Sequence, residues 1–262
     1  MLALERKNRI IELINSEGKV IVATLAREFN VTEETIRRDL DKLEKDGMVI
    51  KTYGGALANV NKSSDVPYAV RKKNNIVLKQ KIAEKVASMI KDGDQIMLDA
   101  STTSLFVVRQ IKARKNITII TNSIEILLEL ADKTGWTILS TGGSLREGSY
   151  SLGGSSAEKM VRDHHVDIAV CSAKGIDGRM GVTESNEKDA EMKQAIFAAA
   201  STRILAIDNT KFDNIAFIKV CDIKDTDIIV TDKDPGETWK KRIAEAGVTL
   251  MAYGENDENF SN

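Results

Sequence analysis

Apolar residues in the first fifty positions recur at helical intervals. Ile10, Leu13 and Ile14 share one face of a helix expected over residues 3–16 and closed by Glu17-Gly18. Leu25 and Phe29, four apart, mark a second short helix over 21–29. After Asn30-Val31, Thr32 is an expected N-cap, and Glu33 and Glu34 suit the positive end of a helix dipole. The third helix sets Ile36, Leu40 and Leu43 on one face and ends at Gly47. A β pattern from Met48 to Thr52 then meets Tyr53-Gly54-Gly55-Ala56, where two glycines suit a tight hairpin turn. Three helices and a hairpin within residues 1–57 make a small domain.

The pattern then changes. Residues 58–75, with Asn59, Asn61, Ser63, Ser64 and Pro67, read as a polar linker ending in the basic run Arg71-Lys72-Lys73. A helix from 76 to 91 opens a second domain that extends to 252. Within it, helical stretches alternate with β-branched runs at Gln95–Leu98, Ile117–Ile120, Thr137–Leu139, Ile168–Cys171, Ile204–Ile207 and Ile228–Val230. Continuous apolar runs between helices indicate a mostly parallel, Rossmann-like sheet covered on both faces. The polar, acidic tail 253–262 is expected to be disordered.

Composition narrows the class. Of 262 residues 42% are hydrophobic and 29% charged, as in a soluble globular protein. No apolar run approaches the roughly 20 residues that span a bilayer. The charged N-terminal segment lacks a signal core, so a cytoplasmic protein without membrane contact is expected. Cys171 and Cys221 lack metal-type spacing, and the adjacent His164 and His165 diverge on a helix, so neither a metal nor a cofactor is expected. Net charge is −1, but unevenly distributed. Residues 1–81 carry 16 Lys/Arg against 11 Asp/Glu, and residues 82–262 carry 22 against 28. A basic module is joined to an acidic one.

On the third helix Glu34, Thr35, Arg37 and Arg38 lie off the apolar stripe, near the end that enters the major groove in helix-turn-helix proteins. There Arg bonds guanine bidentately and Thr contacts a thymine methyl. Thr32 starts this helix, Lys42 lies farther out toward phosphates, and Lys51 and Tyr53 would form a wing gripping the backbone. The same residues admit a plainer account: Glu33–Arg37 and Glu34–Arg38 have the i, i+4 spacing of ordinary surface pairs.

In parallel sheets, ligands bind beyond the carboxyl ends of the strands. Those ends carry Asp99 with Ser101, Thr102, Thr103 and Ser104, then Thr121-Asn122, Gly142-Gly143 with Arg146, Lys174, and Lys211. The hydroxylated run 101–104 at a helix start is the best phosphate cradle. Arg146, Lys174 and Lys211 would add positive charge, and Asp99 and Asn122 would bond sugar hydroxyls. Ser, Thr and Asn are also ordinary N-caps, so each junction alone has a second explanation. An enzyme using Asp99, Lys174 and Lys211 as an acid/base set is a rival class, and a protein-interaction module a third.

Longer strings decide among these. Val31-Thr32-Glu33-Glu34-Thr35-Ile36-Arg37-Arg38-Asp39-Leu40, then Leu43-Glu44, Gly47 and Tyr53-Gly54-Gly55-Ala56, closely resemble the recognition helix and wing of the DeoR family of regulators. Lys79, Ile82-Ala83, Asp99 to Thr103, Thr121-Asn122, Gly142-Gly143 with Arg146, Gly181-Val182-Thr183, Lys193 and Asp208 to Lys211 look like that family's sensor domain. The resemblance runs from about residue 3 to 250. It implies a winged helix-turn-helix followed by an α/β sensor similar in fold to ribose-5-phosphate isomerase. It further implies a repressor that binds a double-stranded operator as a homodimer or homotetramer and answers to a phosphorylated sugar. Thr35, Arg37 and Arg38 would face DNA, while Asp39 would fix an arginine or a helix end. Ser101 stands where the family commonly has Gly, and Asp189, expected to support Lys193, where it commonly has Glu.

Overall fold

The computed structural model describes residues 3–45, 49–58 and 66–254. The chain divides between Asn74 and Asn75 into two compact units.

The first unit holds α1 (Ala3–Glu17), β1 (Lys19–Ile21), α2 (Val22–Glu28), α3 (Glu33–Lys45), β2 (Val49–Thr52), β3 (Gly55–Ala58) and α4 (Tyr68–Lys73). Ile10, Ile14, Leu25, Phe29, Ile36, Leu40 and Leu43 form its core, as the helical periodicity requires. β2 and β3 make a hairpin, Val49 opposite Ala58 and Thr52 opposite Gly55, with Tyr53-Gly54 as its two-residue turn. The short strand β1, which periodicity does not reveal, adds antiparallel to β3. This contact changes the reason for the glycine pair. Gly54 has no left-handed backbone and open space around it. At Gly55, a Cβ would lie 2.0 Å from the Val20 carbonyl oxygen. Glycine is needed where β3 crosses β1, not to close the turn.

The polar linker expected over 58–75 is also corrected: residues 68–73 are helical and Tyr68 is fully buried. An aromatic with Val70 two positions on gave the segment something to bury. Gly47 and Met48, the linker positions 59–65 and the tail from 255 lie outside the described residues.

The second unit contains α5 (Ile76–Met89), β4 (Gln95–Leu98), α6 (Thr102–Gln110), β5 (Thr118–Thr121), α7 (Ile124–Glu129), β6 (Thr137–Ser140), β7 (Ser144–Arg146), β8 (Ser151–Gly153), α8 (Ser155–Arg162) and β9 (Val166–Cys171). It continues through β10 (Gly175–Asp177), β11 (Gly181–Glu184), α9 (Glu187–Ala198), β12 (Ala200–Ala206), β13 (Ile218–Cys221), β14 (Ile228–Thr231), α10 (Glu237–Glu245) and β15 (Thr249–Ala252). Seven strands form one parallel sheet in the order β15-β14-β12-β9-β4-β5-β6. Alternate residues of a strand point to opposite faces, and this divides two cores. Ile96, Leu98, Ile168, Val170, Ile204 and Ala206 pack with α5 and α6. Met97, Ala169, Cys171 and Leu205 pack with α8, α9 and α10. β7 and β8 form a separate hairpin, and β10, β11 and β13 a small antiparallel sheet.

Strand order reverses direction at β4. β5 and β6 follow on one side of it; β9, β12, β14 and β15 follow on the other. The crevice between the carboxyl ends of β4 and β9 is therefore the switch point where such sheets take ligands.

Replacing Gly55 by Ala is expected to destabilise the first unit by about 1–3 kcal/mol through overpacking. Gly54→Ala should change stability by less than about 0.5 kcal/mol. Denaturant unfolding midpoints of the two variants check this.

Candidate functional site

The first unit builds its exposed helix from short-range chemistry. α2 closes with Phe29 N–H donating to Leu25 O (2.9 Å) and Val31 N–H to Ala26 O (3.0 Å), while Asn30 adopts a left-handed φ of 51°. Thr32 caps α3: its Oγ1 accepts from Thr35 N–H at 3.2 Å and lies 2.9 Å from the Thr35 hydroxyl. Ile36, Asp39, Leu40 and Leu43 turn inward, which leaves Thr32, Glu34, Arg37, Arg38 and Lys42 exposed and Thr35 half-exposed.

Both i, i+4 pairs form. Arg37 bonds Glu33 at 2.7 Å and Arg38 bonds Glu34 at 3.1 Å, all four side chains about half exposed or more. Such pairs contribute about 0.2–1 kcal/mol, so exchanging them for another anion or a base edge costs little. Asp39 is the fixing carboxylate: it accepts from buried Arg6 Nε of α1 at 2.6 Å. The wing differs from its expected role in one respect. Lys51 does not stand free; its Nζ bonds Asp41 and its N–H donates to Glu44 at 2.9 Å. Lys51 thus braces the hairpin against α3, while Tyr53 at the turn is fully exposed. The turn is tied to α2 by Val22 N–H donating to Gly54 O at 2.9 Å.

In the second unit, Asp99 sits at the switch point, 1% exposed. Its Oδ1 accepts from Ser101 N–H (3.1 Å) and the Ser104 hydroxyl (2.6 Å), and its Oδ2 from Ser172 N–H (3.0 Å) beyond β9. Lys193 Nζ of α9 lies 3.5 Å from the same Oδ2. With these partners, Asp99 joins β4 to β9 and orients the start of α6 rather than presenting a carboxylate to a sugar. Ser101 likewise serves as the N-cap, its Oγ accepting from Ser104 N–H at 3.0 Å. Among the described residues nothing accepts from the N–H groups of Thr102 and Thr103, the first two of α6. These are the orphan donors of a helix start.

Thr121 is structural as well: its hydroxyl donates to Leu98 O at 2.8 Å and accepts from Ser123 N–H at 3.1 Å. Asn122 is different. Its Nδ2 donates to Leu152 O at 3.0 Å, while its Oδ1 is buried without a hydrogen-bond partner among the described residues. Leaving such an acceptor unsatisfied costs about 1–3 kcal/mol, which a ligand donor recovers. Gly142 and Gly143 hold left-handed φ values of 63° and 98°, and a Cβ on Gly143 would lie 2.5 Å from Gly153 O. They shape the entry to the β7–β8 hairpin.

The deepest charge is Lys193. Its Nζ donates to Ser172 O at 2.8 Å and to Glu184, which is 2% exposed. Burial pushes the ammonium pKa down, but Glu184 and Asp99 outweigh it and hold the pKa far above the ordinary lysine value. Burial would raise the Glu184 carboxyl; Lys193 and Lys174 overcome this and hold it below the usual range. Glu184 was not singled out in the sequence, although a carboxylate ending the apolar run Gly181-Val182-Thr183 nine residues before a lysine is a readable signal. Asp189 does not bond Lys193 directly. It pairs with Arg146 of β7 and accepts from Asn186 Nδ2 at 2.8 Å. Lys211 closes a short 3-10 turn, Asn209–Lys211, beside Asp208. Burial raises the Asp208 carboxyl pKa, and Lys211, the Thr210 hydrogen bonds and Lys79 bring it below its ordinary value.

A capped helix exposing arginines, braced by a wing, and an α/β unit with orphan donors at its switch point define a DNA-binding transcriptional regulator with a sensor domain. Family profiles match on both units: the DeoR-like helix-turn-helix domain over residues 6–62 and the DeoR C terminal sensor domain over 74–233. The chain belongs to the DeoR family. It is 37% identical to the HTH-type transcriptional regulator YulB of Bacillus subtilis, covering 96% of this chain and 97% of that one. It is 30% identical to a putative aga operon transcriptional repressor of Escherichia coli O157:H7 (96% and 94% covered) and to the L-fucose operon activator of Haemophilus influenzae (90% and 94%). Among solved structures, ribose 5-phosphate isomerase A of Methanocaldococcus jannaschii matches 53% of this chain and 55% of its own, with a TM-score of 0.40 and 16% identity. The isomerase-like use of Asp99 with Lys174 and Lys211 is set aside, since the family is one of transcriptional regulators and the Asp99 carboxylate is occupied. No helix among the described residues is long and apolar enough to cross a membrane.

Glu184→Gln is expected to destabilise the second unit by about 3 kcal/mol, because Lys193 stays charged and buried with a weakened partner. The difference from wild type should be full between about pH 4.3 and pH 10.4. Glu184, with its folded pKa lowered, loses its contribution as pH falls below that window. Lys193, with its folded pKa raised, loses its own as pH rises above it. Urea unfolding of both proteins at several pH values measures this.

Proposed function

We propose that this protein is a sequence-specific repressor of a sugar-metabolism operon, and that a phosphorylated sugar bound at the carboxyl ends of β4, β5 and β9 controls its operator affinity. The observation that carries the effector reading is the pairing of unsatisfied groups: the Thr102 and Thr103 N–H donors at the start of α6, and the buried Oδ1 of Asn122. An anion suits the first and a hydroxyl the second. Sugar phosphates supply both on one small molecule. The relatives whose names mention the aga and L-fucose operons support carbohydrate control. Repression is favoured because a winged helix occupying an operator blocks transcription without needing any activating surface. As the binding proteins of this class match two half-sites, the operator is read by a homodimer or homotetramer.

On the DNA side, Thr35, Arg37 and Arg38 read base edges, Thr32 and Lys42 lie along the phosphates, and Tyr53 at the wing tip meets the backbone. Glu34 holds Arg38 until DNA replaces it. Lys51 acts through its brace on Asp41 and keeps the wing in place.

Arg37→Ala and Arg38→Ala should each weaken operator binding by about 1–3 kcal/mol, the value of a bidentate base contact, without altering thermal unfolding of the second unit. Gel-shift titration against operator and scrambled DNA checks this, and unchanged affinity in both variants removes them from the interface.

For the effector, a sugar phosphate should raise the unfolding temperature of the intact protein, because a ligand of the native state stabilises it by mass action. The unphosphorylated sugar should give little or no shift at the same concentration. Equal shifts for the two forms would exclude the anion site at α6.

A further inference from the structure

The acidic residues of α3 are not alike. Successive helix residues turn by about 100°, so Glu34 and Arg38 stand almost opposite the buried Ile36, Leu40 and Leu43, at the middle of the outward face. Thr35 and Arg37 lie on the two flanks of that face. Exposure follows the same order: the side chains of Glu34 and Arg38 are 62% and 74% exposed, against 48% and 50% for Glu33 and Arg37. Asp41 is also turned outward but is taken by Lys51 of the wing, and Asp39 is buried against Arg6. Glu34 is thus the carboxylate that leads the exposed face, in the first turn of the helix.

An acidic group in that place opposes DNA binding unless a donor meets it. Phosphates repel it at long range, and a groove that closes over it leaves its oxygens short of water. Arg38 Nε donates to Glu34 Oε1 at 3.1 Å, and nothing else among the described residues bonds this carboxylate. When Arg38 turns to a base, both oxygens are therefore open. The base edges decide what can satisfy them. In the major groove guanine and thymine offer only acceptors, which a carboxylate repels. Adenine offers its N6 amino group beside the N7 acceptor, so one oxygen gains while the other is repelled. Cytosine presents its N4 amino group with no acceptor beside it.

Four residues advance a helix by about 6 Å, less than two base steps of about 3.4 Å each. Resting on the reading of α3 as the helix that enters the major groove, we infer that Glu34 is a specificity-determining residue. It accepts a hydrogen bond from the N4 amino group of a cytosine, within about two base pairs of the guanine read by Arg38. It also selects against the other bases, whose acceptors it repels.

The test selects binding sites for the full-length protein from random-sequence duplex DNA, then measures affinity for every single-base variant of the selected site. Wild type should prefer cytosine at one position of the half-site by about tenfold. Glu34→Ala should lose that preference and keep those at the other positions. Glu34→Gln, whose amide matches the N6 and N7 groups of adenine, should prefer adenine there, on the same strand. Arg38→Ala should instead lose a guanine preference within about two base pairs. Circular dichroism checks that each variant is folded. If Arg38→Ala alters a position but the Glu34 variants alter none, whatever happens to overall affinity, the inference is overturned and the reading of α3 stands. A lost preference for a base other than cytosine overturns it equally, as does a Glu34→Gln protein that does not move toward adenine. If wild type enriches no sequence, or none of the three variants alters any position, the reading of α3 falls and this inference with it.

Discussion

A lysine ammonium buried beneath the ends of a parallel sheet constrains the second unit more than any other group. Removing such a charge from water costs several kcal/mol unless it is paired and hydrogen-bonded. Lys193 meets that condition with Glu184, the Ser172 carbonyl and Asp99. Each partner then fixes something else. Ser172 and Asp99 lock β9 to β4, and Asp99 in turn sets the first turn of α6 through Ser101 and Ser104. The orientation of the Thr102 and Thr103 donors is thus inherited from a charge that touches neither of them. Most groups that look like ligands in this unit are supports for the few that are free.

The first unit follows the same logic on a smaller scale. Arg6 and Asp39 form a buried pair that clamps α1 to the inner face of α3. Arg37 and Arg38, immediately before Asp39, are thereby turned outward. The adjacency explains why two arginines and an aspartate in sequence do different work: successive helix residues are turned by about 100°, which separates outward from inward. The wing is placed by an equally local constraint, the contact of Gly55 with Val20.

Period and patterning made three of the four helices of the first unit and six of the seven parallel strands legible. Those features depend on burial of whole faces, which composition reports directly. The short strands β1, β7, β8, β10, β11 and β13 were not legible, because three or four residues carry no period of their own and are held by their neighbours. β15 was missed for the same reason: Thr249–Ala252 follows helix α10 without a run of β-branched residues. The sequence located these residues at the strand ends but could not say which were already satisfied. Asp99, Ser101 and Thr121 read as ligand contacts until their partners were visible. Asn122 read the same way, and only its unpaired oxygen distinguishes it. Partnership is a three-dimensional property: Asp99 and Ser172 are 73 positions apart, Lys193 and Ser172 are 21 apart.

A site whose most buried cation is already paired has consequences for selectivity. Where recognition rests on uncompensated lysines, any polyanion is attracted, and a protein that also binds DNA would draw nucleic acid to the wrong unit. Here Glu184 and Asp99 offset Lys193, Asp189 pairs with Arg146, and residues 82–262 carry 22 Lys/Arg against 28 Asp/Glu. The excess positive charge lies in residues 1–81, where the exposed arginines of α3 are. In the proposed effector site, two backbone N–H donors and one amide-oxygen acceptor demand shape and hydrogen-bond geometry from a ligand, and they lose their value steeply when a group is missing. The division of charge between the units therefore separates two anions that the protein must tell apart: long-range attraction is left for DNA, and short-range fit is left for the small molecule.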